Sequence, residues 1–294
     1  MKLIVLCGKR KRRHGLWGKR DAACENKLHC AGFNAGASKP ALHRPLLRFV
    51  APRLHGIAAR GDNRAQSNLE LLMNIEQARA NMIEQQIRTW DVLAQDVLDL
   101  LAVVRREEFV PEAYRSLAFV DMEIPLLVDG GDSGETMLPP KFEARILQEL
   151  AVRRDDAVLE IGAGSGYMAA LLAHKAERVV SVEIHPGLKL LAERNLAHTN
   201  VKNVRVQGGD GAEGWPSAGP VDVLVVSGSL PFIPQALLRQ LLVGGRMAAV
   251  VGDSPAMSAE IVKRTGAESW ETIKLFETDV KPLVNAPRHS RFSF

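Results

Sequence analysis

The residues of this chain best suited to chemistry lie together in Val158-Leu159-Glu160-Ile161-Gly162-Ala163-Gly164-Ser165-Gly166-Tyr167. An apolar run carries one acid, three glycines follow on alternate positions, and a helical pattern begins. A second acid, Glu183, ends the next apolar run, Arg178-Val179-Val180-Ser181-Val182-Glu183, 23 residues past Glu160. A glycine-rich strand-to-helix turn lets the backbone approach a ligand, because no Cβ stands in the way. An acid at the tip of the following strand accepts hydrogen bonds from the two hydroxyls of a ribose. The dinucleotide fingerprint G-x-G-x-x-G would place its last glycine at position 167, where this chain has Tyr167. Glu160, just before the turn, repels a pyrophosphate and favours a cation. The pattern therefore predicts a nucleoside-bearing cofactor without phosphates, of which S-adenosylmethionine is the common one. Its expected contacts are Glu160, Gly162, Ala163, Gly164, Gly166 and Tyr167 from the turn, and Glu183 from the next strand.

A third acid falls in Gly208-Gly209-Asp210-Gly211, after the next strand-like run. Asp210 there can accept a hydrogen bond from an adenine amino group, with Gly211 beside it, because open α/β sheets bind ligands at the carboxyl ends of their strands. Ser227-Gly228-Ser229-Leu230-Pro231 follows the fourth strand at the same edge, where it lines an acceptor pocket or simply leads to the next helix. Ser227 lacks a G-x-S-x-G context, which argues against a serine hydrolase. His174, His185, His198 and His289 are scattered without H-E-x-x-H, and read as surface residues rather than metal ligands. Cys24 and Cys30 lack zinc spacing, so no metal is expected.

These residues need a sheet to position them. Alternation predicts strands near 157–161, 178–183, 203–207, 221–227 and 245–251. Helices near 166–175, 187–198 and 234–242 separate them. The fold class expected is α/β: a mostly parallel central sheet, Rossmann-like, with helices on both faces. Gly244-Gly245 reads as the break between the last helix and its strand. Runs at 259–265 and 271–280 suit an antiparallel closure of the sheet edge. Upstream, Ile75, Met82, Ile83 and Ile87 make a helical stripe over 74–88. A second helix is expected from Gln95 to Val104 with Leu98, Leu101 and Ala102 inward, and a third from Pro111 to Leu117. Residues 129–140, with three glycines and two prolines, read as an irregular loop before a helix at 141–150.

Charge divides the chain. Residues 1–72 hold 15 Lys and Arg against Asp21, Glu25, Asp62 and Glu70, a net +11 within a total of +4. All three cysteines (Cys7, Cys24, Cys30) lie there too. This stretch reads as a disordered basic extension, with Met73 as the functional start; a nucleic-acid role is expected only through this leader, if anywhere. The domain is expected at 73–294, with a helical cap and acceptor loop over 73–150 and a cofactor-binding core over 151–294. No apolar run reaches the length of a membrane span. A cysteine-free domain suits a reducing cytoplasm, and a cytoplasmic monomer is expected.

Residues 73–294 resemble the protein-L-isoaspartate O-methyltransferase family over nearly their whole length. Val158 to Tyr167 resembles its first cofactor motif, Val182-Glu183 its ribose site and Gly209-Asp210-Gly211 its adenine site. Gln240 to Arg246 is similar to its late L-x-P-G-G-R element. Met82-Ile83-Glu84-Gln85-Gln86-Ile87 and Arg106-Glu107-Glu108-Phe109-Val110-Pro111-Glu112 resemble this family in particular. The resemblance implies S-adenosylmethionine-dependent carboxyl methylation of isoaspartyl proteins, in protein repair. The family's acceptor loop, G-x-G-Q-T-I-S-Q-P, is departed from at Gly134-Glu135-Thr136-Met137-Leu138-Pro139-Pro140. Thr136 keeps the pattern. Leu138 stands where the family has a serine near the methyl-transfer centre, and Glu135 replaces the glutamine. Two alternatives stay open: the same fold with a different acceptor, and a non-catalytic cofactor-binding module.

Overall fold

The computed structural model describes residues 74–288. The basic stretch 1–72, its cysteines and the tail from His289 onward lie outside the described residues. The chain begins with a helix described over 74–82 (α1), widens to a π-helical turn at Ile83–Ile87, and tightens to a 3-10 turn at Arg88–Trp90. Met82, Ile83 and Ile87 of the expected stripe are buried. Helix α2, Gln95–Val103, buries Val97, Leu98, Leu100 and Leu101. Ala102 is exposed, contrary to expectation, because it lies about 100° round the helix from Leu101 and outside the stripe that continues at Val104. From Pro111 the chain forms a six-residue 3-10 turn, Glu112–Leu117, in place of an α-helix.

Residues 129–140 are not an irregular loop. Ile124–Val128 (β1) and Gly131–Met137 (β2) pair antiparallel, joined at Asp129-Gly130. Asp129 has φ 51° and Gly130 φ 80°. Two successive left-handed residues make the primed turn whose twist matches a hairpin, and Asp-Gly is its favoured sequence. The glycines that suggested irregular structure are turn and bulge residues. Register slips between Pro125↔Thr136 and Leu127↔Asp132, so Ser133, Gly134 and Glu135 bulge out of the ladder.

Helix α3 (Pro140–Leu150) leads into the alternating region: β3 (Ala157–Ile161), α4 (Tyr167–Lys175), β4 (Arg178–Glu183), α5 (Pro186–His198) and β5 (Val204–Gly208). Then come β6 (Val221–Leu230), α6 (Gln235–Gln240), β7 (Leu241–Asp253), β8 (Ala256–Gly266) and β9 (Ser269–Thr278). The seven strands lie in the order β5-β4-β3-β6-β7-β8-β9. The first five are parallel, and β8 and β9 add antiparallel to β7, as the alternation predicted. Gly244-Gly245 does not end α6. It lies within β7, where pairing to β6 slips between Val221↔Leu241 and Val223↔Arg246. A Cβ on Gly245 would stand 2.9 Å from Leu242 O and 3.0 Å from Asp222 O, so the bulge demands glycine.

Successive side chains of the central strands point to opposite faces and feed two apolar clusters. Val158, Val223, Val225 and Ala248 join one, with α3, α4 and the upstream helices. Leu159, Leu224, Met247 and Leu237 join the other. Each valine, leucine and methionine among them, fully buried, contributes about 1.5–3 kcal/mol from water exclusion. Arg246 ties the start of β3 to this frame, donating to Leu150 O (2.5 Å), Ala151 O (2.7 Å) and Asp156 Oδ2 (2.7 Å).

Candidate active site

Strand β3 has β4 on one side and β6 on the other, so the connections leave its carboxyl end in opposite directions. Such a switch point opens a crevice. Here the crevice is lined by Glu160 of β3 and Gly162, Ala163 and Gly164 after it, Glu183 of β4 and His185 after it, Asp210 and Gly211 after β5, and Ser227 and Gly228 of β6. The hairpin adds Glu135 through Leu138, α3 adds Glu143, and residues 280–284 close the remaining side.

The turn takes its shape from positive φ at Gly162 (94°), Gly164 (52°) and Gly166 (84°). Gly162 N–H and Ala163 N–H both donate to Val182 O, at 2.8 and 3.2 Å, so the turn folds back over β4. Glu183, 5% exposed, fastens it from the other side. Its Oε2 accepts from Gly164 N–H (2.8 Å) and its Oε1 from His185 N–H (2.9 Å). Glu183 lines the cavity, and each of its oxygens retains accepting capacity beyond these bonds. Gly166 serves packing instead: a Cβ there would approach Ala192 and Leu196 at 3.3 Å.

Tyr167 is not among the residues that surround the cavity. Its ring lies 5.4 Å from Phe109 and beneath the Arg106 guanidinium at 4.9 Å, on the side of the upstream helices. A helix-initial residue after a glycine turn directs its side chain by the helix, not by the ligand, and here the helix faces the core. Burial pushes the Tyr167 hydroxyl well above its ordinary pKa.

Glu160 sits at the cavity floor with no solvent exposure. It pairs across the sheet with Ser181, whose hydroxyl donates to Oε2 at 2.5 Å, while Ser227 donates to Oε1 at 3.3 Å. Burial raises its pKa to about 8, against the pull of the two hydroxyls and with the help of the neighbouring Glu143 and Glu183 charges. Asp210 lies at the exposed rim. Its Oδ1 accepts from Ala212 N–H (3.0 Å) and its Oδ2 from the Asn285 amide (2.9 Å).

From the hairpin, Thr136 and Leu138 both line the cavity. The Thr136 hydroxyl donates to Glu123 Oε2 at 2.8 Å. Leu138 presents an apolar wall, and its carbonyl accepts from Arg106 Nη2 at 2.6 Å. Arg106 also pairs with Glu143 and donates to Ala118 O (3.0 Å), so one buried guanidinium joins the hairpin, α3 and the upstream turn. Burial lifts Glu143 to about 7 despite that partner. Sequence reasoning missed Glu143, Ser181, His185 and Lys281. The signal for Glu143 was an acid on the inward face of α3, between Phe142 and Ala144. His185 and Lys281 carried no local signal. Among the described residues no group of His, Cys, Asp and Glu could hold a metal ion, and no helix is long and apolar enough to cross a membrane.

A family model described as Protein-L-isoaspartate(D-aspartate) O-methyltransferase matches residues 77–286. A protein-L-isoaspartate O-methyltransferase of Koribacter versatilis is 37% identical over 212 residues, covering 72% of this chain and 93% of that protein. A solved protein-L-isoaspartate O-methyltransferase superposes with a TM-score of 0.60 at 26% identity, covering 70% of this chain and 66% of that one. A Plasmodium falciparum structure in complex with S-adenosyl-L-homocysteine superposes with the same TM-score at 16% identity, covering 71% of this chain and 97% of that one. That last likeness is one of fold.

Proposed function

The chain belongs to the protein-L-isoaspartate(D-aspartate) O-methyltransferase family, and from that premise we propose how its cavity carries out the reaction. The activity is S-adenosylmethionine-dependent esterification of isoaspartyl carboxylates, a step of protein repair. The observation that carries the site assignment is the glycine turn latched to Glu183 through Gly164 N–H, with a buried acid directly beneath it.

When bound, the donor supplies an electrophilic methyl on a sulfonium. The chain holds it by its ends. Glu183 would accept from the ribose hydroxyls and Asp210 from the adenine amine, and Gly162 to Gly164 would let the backbone close against the donor. Glu160 would meet the donor's cationic end, where a positive charge would favour the ionised form that burial alone disfavours. The acceptor carboxyl has an ordinary pKa near ~4 and is ionised at neutral pH, so no general base is required. Opposite charges are neutralised in the transfer, and a site that excludes water favours that change. Met137, Leu138 and Met168 provide the apolar wall. Alignment of nucleophile and methyl supplies most of the remainder.

Calorimetry with S-adenosylhomocysteine tests the donor half. The wild type binds, and Glu183→Ala and Asp210→Ala each bind at least about tenfold more weakly, equivalent to the loss of one charge-assisted hydrogen bond. Unchanged affinity in both variants refutes the assignment. Methyl transfer to an isoaspartyl peptide tests the acceptor half. Leu138 also favours a second reading, in which a small molecule is the acceptor; turnover of such a molecule without turnover of the peptide would establish it. The same proposal takes the enzyme as a cytoplasmic monomer, with residues 73–294 as its working domain, and sedimentation reads the oligomeric state.

A further inference from the structure

We propose that Lys281 receives the acceptor's carboxylate, and that Glu135 holds the lysine in place as a resident anion until the acceptor arrives. The proposal rests on the isoaspartyl reading of the cavity. Five acidic side chains line that cavity; burial favours the neutral form of Glu143 and Glu160, so the repulsion comes chiefly from Glu135, Glu183 and Asp210. Lys281 is the single lysine or arginine among the described residues that line it. An anionic acceptor entering such a space is repelled unless a cation meets it, and complementary charge at a rim governs encounter and register.

The placement of Lys281 suits that task. Its Nζ donates to Gly134 O at 2.8 Å and to Glu135 Oε1 at 2.6 Å, both within the hairpin bulge at the acceptor side. The chain carrying it is fixed against β6. Ser229 N–H donates to Lys281 O and Leu283 N–H to Ser229 O, each at 3.0 Å, and Ser229 Oγ donates to Val280 O at 2.6 Å. A flexible stem thus rises from a rigid base. Lys281 is 49% exposed and Glu135 24%, so exchanging one carboxylate partner for another carries little desolvation penalty. His185 Nε2 lies 3.5 Å from the same Glu135 oxygen and can hold Glu135 once the lysine turns to the acceptor. Glu135 itself departs from the family's glutamine, so the hairpin brings to the rim a charge that needs a balancing cation.

Charge recognition predicts opposite signs for the two partners, whereas a purely structural latch predicts the same sign. Steady-state methyl transfer to an isoaspartyl peptide with uncharged flanking residues decides between them. Lys281→Met raises KM about fivefold, the upper end for a partly exposed ion pair, with kcat held within about twofold. Lys281→Arg keeps KM near the wild-type value. Glu135→Gln frees the lysine and lowers KM. Salt raises the wild-type KM and leaves that of Lys281→Met nearly flat. S-adenosylhomocysteine affinity, read by calorimetry, stays unchanged in all three and reports that they fold. A KM unmoved in Lys281→Met, or moved the same way in Glu135→Gln, overturns the proposal alone. Absence of wild-type turnover with this peptide overturns the acceptor reading and the proposal together.

Discussion

At the cavity floor Glu160 meets two serine hydroxyls, and burial leaves its acid form favoured to about pH 8. The folded chain therefore keeps a proton between the ordinary value of 4.5 and about 8 that the unfolded chain releases. Stability falls as pH rises through that window, by at most about 1.4 kcal/mol per pH unit for this group. Glu143, lifted to about 7, acts in the same direction. Glu160→Gln stays neutral throughout, so urea midpoints measured across the window should fall less steeply in the variant than in the wild type. Equal slopes would mean that Glu160 is ionised in the folded protein. Leu138 makes a second residue-scale prediction. Leu138→Ser returns a hydroxyl to the acceptor wall and should raise isoaspartyl turnover, at a loss of about 2–4 kcal/mol of stability from the buried side chain. A flat or reduced initial rate would point to a different acceptor.

The hairpin is the element that brings Glu135, Thr136, Met137 and Leu138 to the cavity, and its geometry depends on one dipeptide. Gly130 has φ 80° with open space around it, so Gly130→Ala adds backbone strain without a clash. Its cost should be about 1–2 kcal/mol, read as a modest drop in melting temperature with donor affinity preserved. Arg246 lies at the opposite end of the sheet. Removing it leaves the buried Asp156 carboxylate with fewer partners, and Arg246→Ala should cost about 3 kcal/mol in chemical denaturation. A loss below 1 kcal/mol, on the scale of a surface pair, would show that Arg153 suffices. The parallel strands were legible because a strand buried on both faces reads as an unbroken apolar run. The hairpin was not, because its glycines were counted as breakers when Asp129-Gly130 is itself a hairpin signal. Gly244-Gly245 misled for a related reason: a bulge and a helix stop make the same demand on backbone.

For the whole molecule, the upstream helices share one apolar cluster with α3 and α4, so residues 74–150 and the sheet that follows are expected to unfold together in a single transition. Deleting residues 1–72 should leave S-adenosylhomocysteine affinity and isoaspartyl turnover within about twofold, since both depend on contacts among the described residues. A larger loss would give the basic leader a part in the reaction. Residue order by itself determined the glycine turn, the acids at three strand tips and the alternation that builds the sheet. Those features are local, and the parallel topology then sets the acids side by side at one edge. Tertiary structure alone decided that Tyr167 turns into the core, that Arg106 fastens Leu138 and Glu143, and that Lys281 meets Glu135 across 146 positions of chain. Side-chain direction and long-range pairing arise only once the sheet has assembled and closed those distances, and no local pattern carries them.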